Sequence, residues 1–487
     1  MSFRRTYAAV LCVVAAGAVS MPAQNFRDEF EAFRQKATGE HSSFRDQCNA
    51  RYADFLRGAW DTFTQQKPVA QPQRPAPVPA VPYDESRDTV DVVETQPVVL
   101  APAAPEPQPL PAAPVPENPS APADAREISF YGLSCPVRIN AGAGPALASC
   151  SPKAIADAWS RMSGRGLDNT LRDCLAMRIE HGLCDWAYLG LLDRVGRVHC
   201  DDPNDATLLT AWLFCQSGYQ MRLAVDGARR LVMLYGSRHL VYDTPFYEVN
   251  GLRFYPYGKC SGDLQVCDAR FDGESPLSLM LTSEQRLGPE LTDLREIASA
   301  KYPDIKAETR VPAALIDFFD SYPNSSYGGN ELTRYAVCAE TPLAEATRRL
   351  LYPVLRRAIE GCSEREAADR LLDFVQTGLT YRTDNSVWGH DRVFFAEETL
   401  YYPYCDCEDR SILFSRLVRD LLGLDTALVY YPGHLASAVA FGDDAEGDAM
   451  LIDGRRFIVC DPTYIGAPVG KQMPGLDYAR AEAIVLK

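Results

Sequence analysis

The chain reads as an α+β protein with a helix packed on an antiparallel sheet in its last third, and three patterns carry that expectation. DCEDRSILFSRLVRDLLG places Asp406 as a helix cap, sets Ile412, Leu413, Leu417, Val418, Leu421 and Leu422 on one apolar stripe, and stops at Gly423. TALVYY, the Pro432-Gly433 turn and the alternating run HLASAVAF read as neighbouring strands. MLID and RRFIVCD flank a tight Asp453-Gly454 turn, a strong hairpin signal.

Upstream, composition divides the chain, and 487 residues predict two or three domains. Residues 1–24 place Arg4 and Arg5 ahead of an apolar run from Ala8 to Val19, which reads as a signal peptide and predicts a secreted or periplasmic product, soluble after cleavage. No other stretch approaches the roughly 20 apolar residues a membrane span needs. Leu11 precedes Cys12 where a lipid-modified cysteine wants a small residue. Residues 25–66 carry Phe26, Phe30, Phe33, Tyr52, Phe55, Trp60 and Phe63 at helical spacing and predict a short helical segment. From 67 to 123 Pro, Ala, Val and Gln dominate, which predicts a disordered polyproline-like linker reaching at most ~175 Å at about 3.1 Å per residue. These helices and this tether would give the chain a route to a cell-envelope partner.

A mixed α+β region is expected over 127–330 and the C-terminal domain over 335–487. EISFYGLSCPVRI alternates like a strand, and SPKAIADAWSRM opens a helix capped by Ser151 with Pro152 behind it. LAEATRRLLYPVLRRAIEGCSEREAADRLLDFVQTGL reads as helix divided at Pro353, followed by an irregular aromatic-rich approach over 381–404. A net charge of −16 argues against nucleic acid, whose phosphates need clustered Lys and Arg. Fourteen of the fifteen cysteines lie beyond the signal segment, where disulfides can persist, and neighbours such as Cys260 and Cys267 could pair.

The chemistry concentrates near the end. Cys407 opens a helix, where the macrodipole favours thiolate, while Glu408 and Asp409 oppose that effect, so a cationic partner is needed. Only six histidines exist, and His434 begins a strand; Asp461 ends the next hairpin, where Pro462 stops the ladder. Antiparallel neighbours can bring His434 beside Asp461 at the start of the Cys407 helix, a geometry for a thiolate-imidazolium pair with a carboxylate fixing the tautomer. Singly, each residue is more often structural; the order of all three favours an acyl-transfer site. A zinc set of Cys405, Cys407, His434 and Cys460 is the metal alternative, although one residue between Cys405 and Cys407 is tighter than the usual pair.

DCEDRSILFSRLVRDLLGL, PGHLASAV and CDPTY, preceded by LLDFVQTGLTY and EETL, resemble the transglutaminase-like (papain-related) cysteine superfamily over about residues 340–475. The resemblance implies Cys407 as nucleophile, His434 as base and then acid, and Asp461 as orienter, with Cys405 standing where relatives often carry glycine. It also implies amide hydrolysis on peptide or protein substrates, and nothing in the sequence points to calcium ligands, an amine channel or a cofactor. The backbone amide of Cys407 is expected in the oxyanion hole, with Trp388 and Tyr404 near the site or simply packed. A noncatalytic envelope scaffold with a relic triad is the competing expectation. CDDPNDATLLTAWLFCQSGYQMRLAV aligns with YCDCEDRSILFSRLVRDLLGLDTALV, Asp205 on Asp409 and Leu208-Leu209 on Ile412-Leu413, with Pro203 in place of the nucleophile. Further on, His239 precedes FYEVNGLRFYPYG, a pair like MLIDGRRFIVCDPTY. A degenerate, silent repeat at about 150–260 is therefore expected.

Overall fold

The computed structural model describes residues 42–72, 77–87, 92–100, 115, 117–120, 124–227, 229–260, 262–442 and 446–486. The expected signal peptide, the first part of the expected N-terminal helices and most of 101–123 lie outside the described residues. The architecture is mixed α and β, and no described helix is long and apolar enough to cross a membrane.

Two antiparallel-based sheets dominate. In the C-terminal one, Ala449–Ile452, Arg455–Cys460, His434–Val439, Thr426–Tyr431 and Glu482–Val485 lie side by side in that order. The helix Cys407–Leu422 packs on its two central strands. In the N-terminal one, Tyr247–Val249, Leu252–Pro256, Leu231–Gly236, Met221–Val225 and Leu264–Cys267 lie in the corresponding order, with the helix Pro203–Gln216 packed against the same two central positions. The two bodies thus share one arrangement of helix and five strands. Pro203, the first helical residue, matches Cys407, and Leu231, the first residue of its strand, matches His434. Tyr257, just beyond its strand, matches Asp461. His239 falls after the strand and takes no part in this match.

The segment before the first body departs from its expected form. A helix runs over 42–56 and buries Cys48, Tyr52 and Leu56 at four-residue spacing, with Tyr52 4.8 Å from the Trp159 ring. Asp61–Phe63, expected as helix, instead pairs antiparallel with Leu264–Cys267 as an added edge strand. The free backbone edge of that sheet outweighs the helical spacing of Trp60 and Phe63, because a strand there satisfies polar groups on both chains.

The expected free linker is also partly bound. Val81–Pro82 runs parallel to Tyr464–Ile465, Glu94–Thr95 parallel to Ala449 and Met450, and Val98–Leu100 parallel to Glu482–Val485. Sequence composition hides this because each contact uses only two or three residues between prolines, at sheet edges where a missing N–H is tolerated.

EISFYGLSCPVRI forms a hairpin, Asp124–Phe130 with Leu133–Ile139, turning at Tyr131 and Gly132, both at positive φ. Ser151 accepts from Ala154 N–H and caps Pro152–Met162 as expected. Pro353 lies inside the helix Glu345–Ile359; the break comes after it, at Gly361 with φ +77° and the Ser363-Glu366 capping box that opens Glu364–Gly378. The described cysteines Cys260 and Cys267 are both free.

Glu397, fully buried on the short helix Ala396–Tyr401, accepts from Ala344 N–H, and burial pushes its carboxyl up to about 8. Burial pushes Glu398 up to about 7, against Arg392. Both groups bind protons more tightly folded than unfolded, so the stability they confer is whole below their ordinary value of 4.5 and is lost as pH rises through 7 to 8. The melting temperature should fall between pH 5 and 9, and Glu397→Gln should flatten that fall and melt higher than wild type at pH 9. An equally steep fall in the variant would contradict this account of Glu397.

Candidate active site

The Cys407 helix begins where its own side chains need it to. Asp409 Oδ2 accepts from Asp406 N–H at 3.1 Å and Oδ1 from Phe394 N–H at 2.9 Å, closing the helix start onto the approach loop. Arg410, 1% exposed, donates to the carbonyls of Gln376 (3.2 Å), Pro462 (3.2 Å) and Leu379 (2.6 Å). Ser411 Oγ donates to Leu435 O at 2.9 Å, Ser437 Oγ to Ser411 O at 3.1 Å, and the Ser415 and Ser437 hydroxyls meet at 3.1 Å. These small side chains let the helix lie close on the histidine strand.

The strand register then sets the pair. Ser437 faces Cys460, so Asp461 stands one step further, opposite Ala436 and on the face His434 shares. His434 Nε2 hydrogen-bonds Asp461 Oδ2 at 2.8 Å, and both side chains are buried. Asp461 Oδ1 accepts from Thr463 N–H at 2.8 Å, and Gln376 holds the loop by donating to the carbonyls of Asp461, Tyr464 and Ala467 and accepting from Gly466 N–H. The carboxylate therefore fixes the imidazole with Nε2 as donor, which leaves Nδ1 unprotonated in the neutral ring. Nδ1 has no hydrogen-bond partner among the described residues.

Cys407 and His434 line one cavity of about 650 Å³, together with Asp384, Asn385, His390, Asp391, Asp406, Glu408, Tyr430 and Gly433. Asp461 lies behind His434. The thiol donates to Glu408 Oε2 at 3.0 Å. Burial first, then the Glu408 and Asp406 carboxylates, push the thiol well above its ordinary 9.0, against the backbone amide of Leu435. Burial, and after it the acidic neighbours, thus outweigh the macrodipole, in line with the expected need for a cationic partner. Burial and mutual repulsion likewise push Asp406 and Asp409 well up.

The zinc alternative is not assembled. Cys405 Sγ is directed to Thr380 O at 3.9 Å and Cys460 Sγ to Ile458 O at 3.6 Å, and neither joins a cluster of candidate ligands among the described residues. Burial pushes Cys405 up to about 11 and Cys460 well above its ordinary range, so neither is a ready thiolate. What converges instead is mostly carboxylate: Asp384, Asp406 and Asp409; Asp384, Asp391 and Glu408; and Asp406 and Glu408 with Cys407, the candidate atoms of each set lying within 4.8 Å of one another; Asp384 and Asp391 are the two that the sequence did not single out. Oxygen-only sets of that kind suit a hard divalent cation.

Trp388 and Tyr404 are packing residues. Trp388 sits edge-on to Tyr402 and Phe394 under the Arg392 guanidinium, and Tyr404 under Arg382. The approach loop contributes Asp384, Asn385, His390 and Asp391 instead, a polar run DNSVWGHD inside an aromatic stretch that was the available signal.

Compared with protein-family models, with curated proteins and with solved structures, the chain matches none.

Two outcomes follow. Glu408→Gln removes the nearest carboxylate that raises the thiol, so the pH midpoint of Cys407 alkylation should move down; an unmoved or raised midpoint contradicts this assignment. Arg410→Met strands three carbonyls, at about 1 to 3 kcal/mol each when buried, and should cost about 3 kcal/mol or more in urea unfolding. A loss under about 1 kcal/mol would show those carbonyls to be otherwise satisfied.

Proposed function

We propose that the chain is a cysteine-dependent acyl-transfer enzyme of transglutaminase-like type, secreted or periplasmic, that hydrolyses amide bonds in peptides or proteins. One observation carries the reading: an imidazole fixed by a buried carboxylate at 2.8 Å, with its second nitrogen unpartnered, lines the same cavity as a cysteine at a helix N-terminus. A buried polar nitrogen without a partner is costly, and it persists where a reacting group is to meet it.

In this mechanism His434 Nδ1 takes the Cys407 proton as Sγ attacks the carbonyl carbon. The raised thiol makes that transfer concerted with attack, since no free thiolate waits. The oxyanion accepts from the Cys407 backbone N–H, one of the first helix amides that lack an intrahelical acceptor. His434 then gives its proton to the leaving amine, and the carbonyl reforms as a thioester on Sγ. Water, losing a proton to His434, attacks the thioester; the acid leaves and the proton returns to sulfur. Asp461 stabilises the imidazolium throughout.

A scaffold with a relic triad is the second reading, and the thiol's bond to Glu408 rather than His434 is the observation that favours it. A peptide-library digest separates the two. Wild type should cleave and Cys407→Ala should lose about 10³-fold or more of that activity, with His434→Ala reduced comparably. Equal cleavage by wild type and Cys407→Ala, or none by either, would decide for the scaffold.

A further inference from the structure

The cavity has an unexpected lining: Ala70, Gln71, Pro72 and Pro77 from the N-terminal strap stand with Cys407 and His434. The strap is fastened at both ends. On one side Gln66 N–H donates to Phe246 O at 2.8 Å, and Val69 O accepts from Asp243 N–H at 2.9 Å. On the other, Tyr83 N–H donates to Ile465 O at 2.8 Å, and Val78, Val81 and Tyr83 pack on Tyr464, Ala467 and Met473, just past Asp461. Between these anchors it touches the site itself. Val78 N–H donates to the carbonyl of Gly433, the residue before the catalytic histidine, at 2.9 Å, and Val78 O accepts from Tyr381 Oη at 2.8 Å. Gln71 Nε2 donates to Asp391 Oδ2 at 2.5 Å, and Gln71 Oε1 accepts from Asn324 at 2.6 Å.

Cys407 and His434 are only 3% and 1% exposed, beside a cavity large enough for a peptide side chain whose wall the strap helps to form. The Gly433 carbonyl lies in the two-residue turn between two interior strands, next to the base, and points to the strap, whose extended backbone meets it by an N–H bond as a passing peptide would. We infer that residues 66–72 and 77–83 occupy the groove a polypeptide substrate takes, so that the resting chain carries its own substrate mimic over the catalytic cavity. The substrate class is then an extended polypeptide that offers a backbone N–H to Gly433 and a neutral polar side chain to Asp391 and Asn324. The strap competes with it in cis. The inference rests on the acyl-transfer reading for the word substrate, but the occupancy stands on the contacts alone.

The full chain tests it through the rate of Cys407 alkylation by iodoacetamide, read by mass spectrometry of the peptide that contains it. Gln71→Ala with Val78→Pro removes the side-chain bonds and the Gly433 bond, and should raise the rate about tenfold, the factor that roughly 1.4 kcal/mol of lost hydrogen bonding gives. A synthetic peptide spanning residues 66–84 should slow the variant again, while its scrambled form should not. An unchanged rate in a variant that keeps its melting temperature, or equal slowing by the scrambled peptide, overturns the inference. If the double variant fails to fold, Gln71→Ala alone, a half-buried side chain, should still raise the rate severalfold, and no rise overturns it. His434→Ala placed on the released variant keeps the two readings apart. If alkylation is then undiminished, the triad reading fails while the rise on release still supports the strap.

Discussion

A single buried guanidinium holds together the three pieces of chain that must meet at the cavity. Arg410 sits one helical turn after Cys407 and donates to carbonyls on the end of the helix Glu364–Gly378, on Leu379 and on Pro462. No carboxylate accepts from it in these bonds, so its charge is spread over backbone dipoles that have few other donors in the interior. The residue that orients the helix start is thereby tied to the residue after Asp461. Gln376, next to the same junction, pins the other side of the Asp461 loop. The strand register brings the carboxylate to the face of the imidazole, and these two side chains hold it there just past the end of the ladder at Cys460.

On that frame two opposing electrostatic demands are placed. The helix N-terminus and the amide of Leu435 favour a thiolate, whereas desolvation and the Asp406 and Glu408 carboxylates oppose it, and the direction of the Cys407 shift shows which side wins. The same crowding pushes Asp406 and Asp409 up. A positive charge arriving among these groups, whether the imidazolium formed in attack or a bound cation, would relieve them and lower the thiol at once. The thiol is therefore protonated at rest, beside a cavity that the strap residues help to line.

The three candidate residues were legible in the sequence because each sits at a punctuated boundary: Cys407 at a helix cap, His434 after Pro432-Gly433, Asp461 before Pro462. The likeness of the two bodies left a trace for the same reason, since Pro203 opens a helix and the strand hairpins follow at similar spacing; their shared strand order is something spacing does not encode. Arg410 and Gln376 were not found, because a polar residue on a helix gives no sign of which backbone carbonyls lie opposite. Pro353 misplaced a helix break, since its ring fits inside a helix whose neighbours can adjust, while Gly361 and Ser363 carry the stronger stop and start signals. The bound strap and the Asp61–Phe63 strand were illegible because edge pairing is decided by the partner sheet, not by the residues that join it.

The central claim is that a covalent acyl group passes through Cys407. Mixing the full chain with a small activated N-acyl amino ester, quenching in acid within the first turnover and mapping the adduct by mass spectrometry tests it directly. The account predicts a thioester on Cys407 that accumulates in wild type and fails to form in His434→Ala. An acyl adduct on another of the free cysteines, or one on Cys407 that forms as fast without His434, would contradict it.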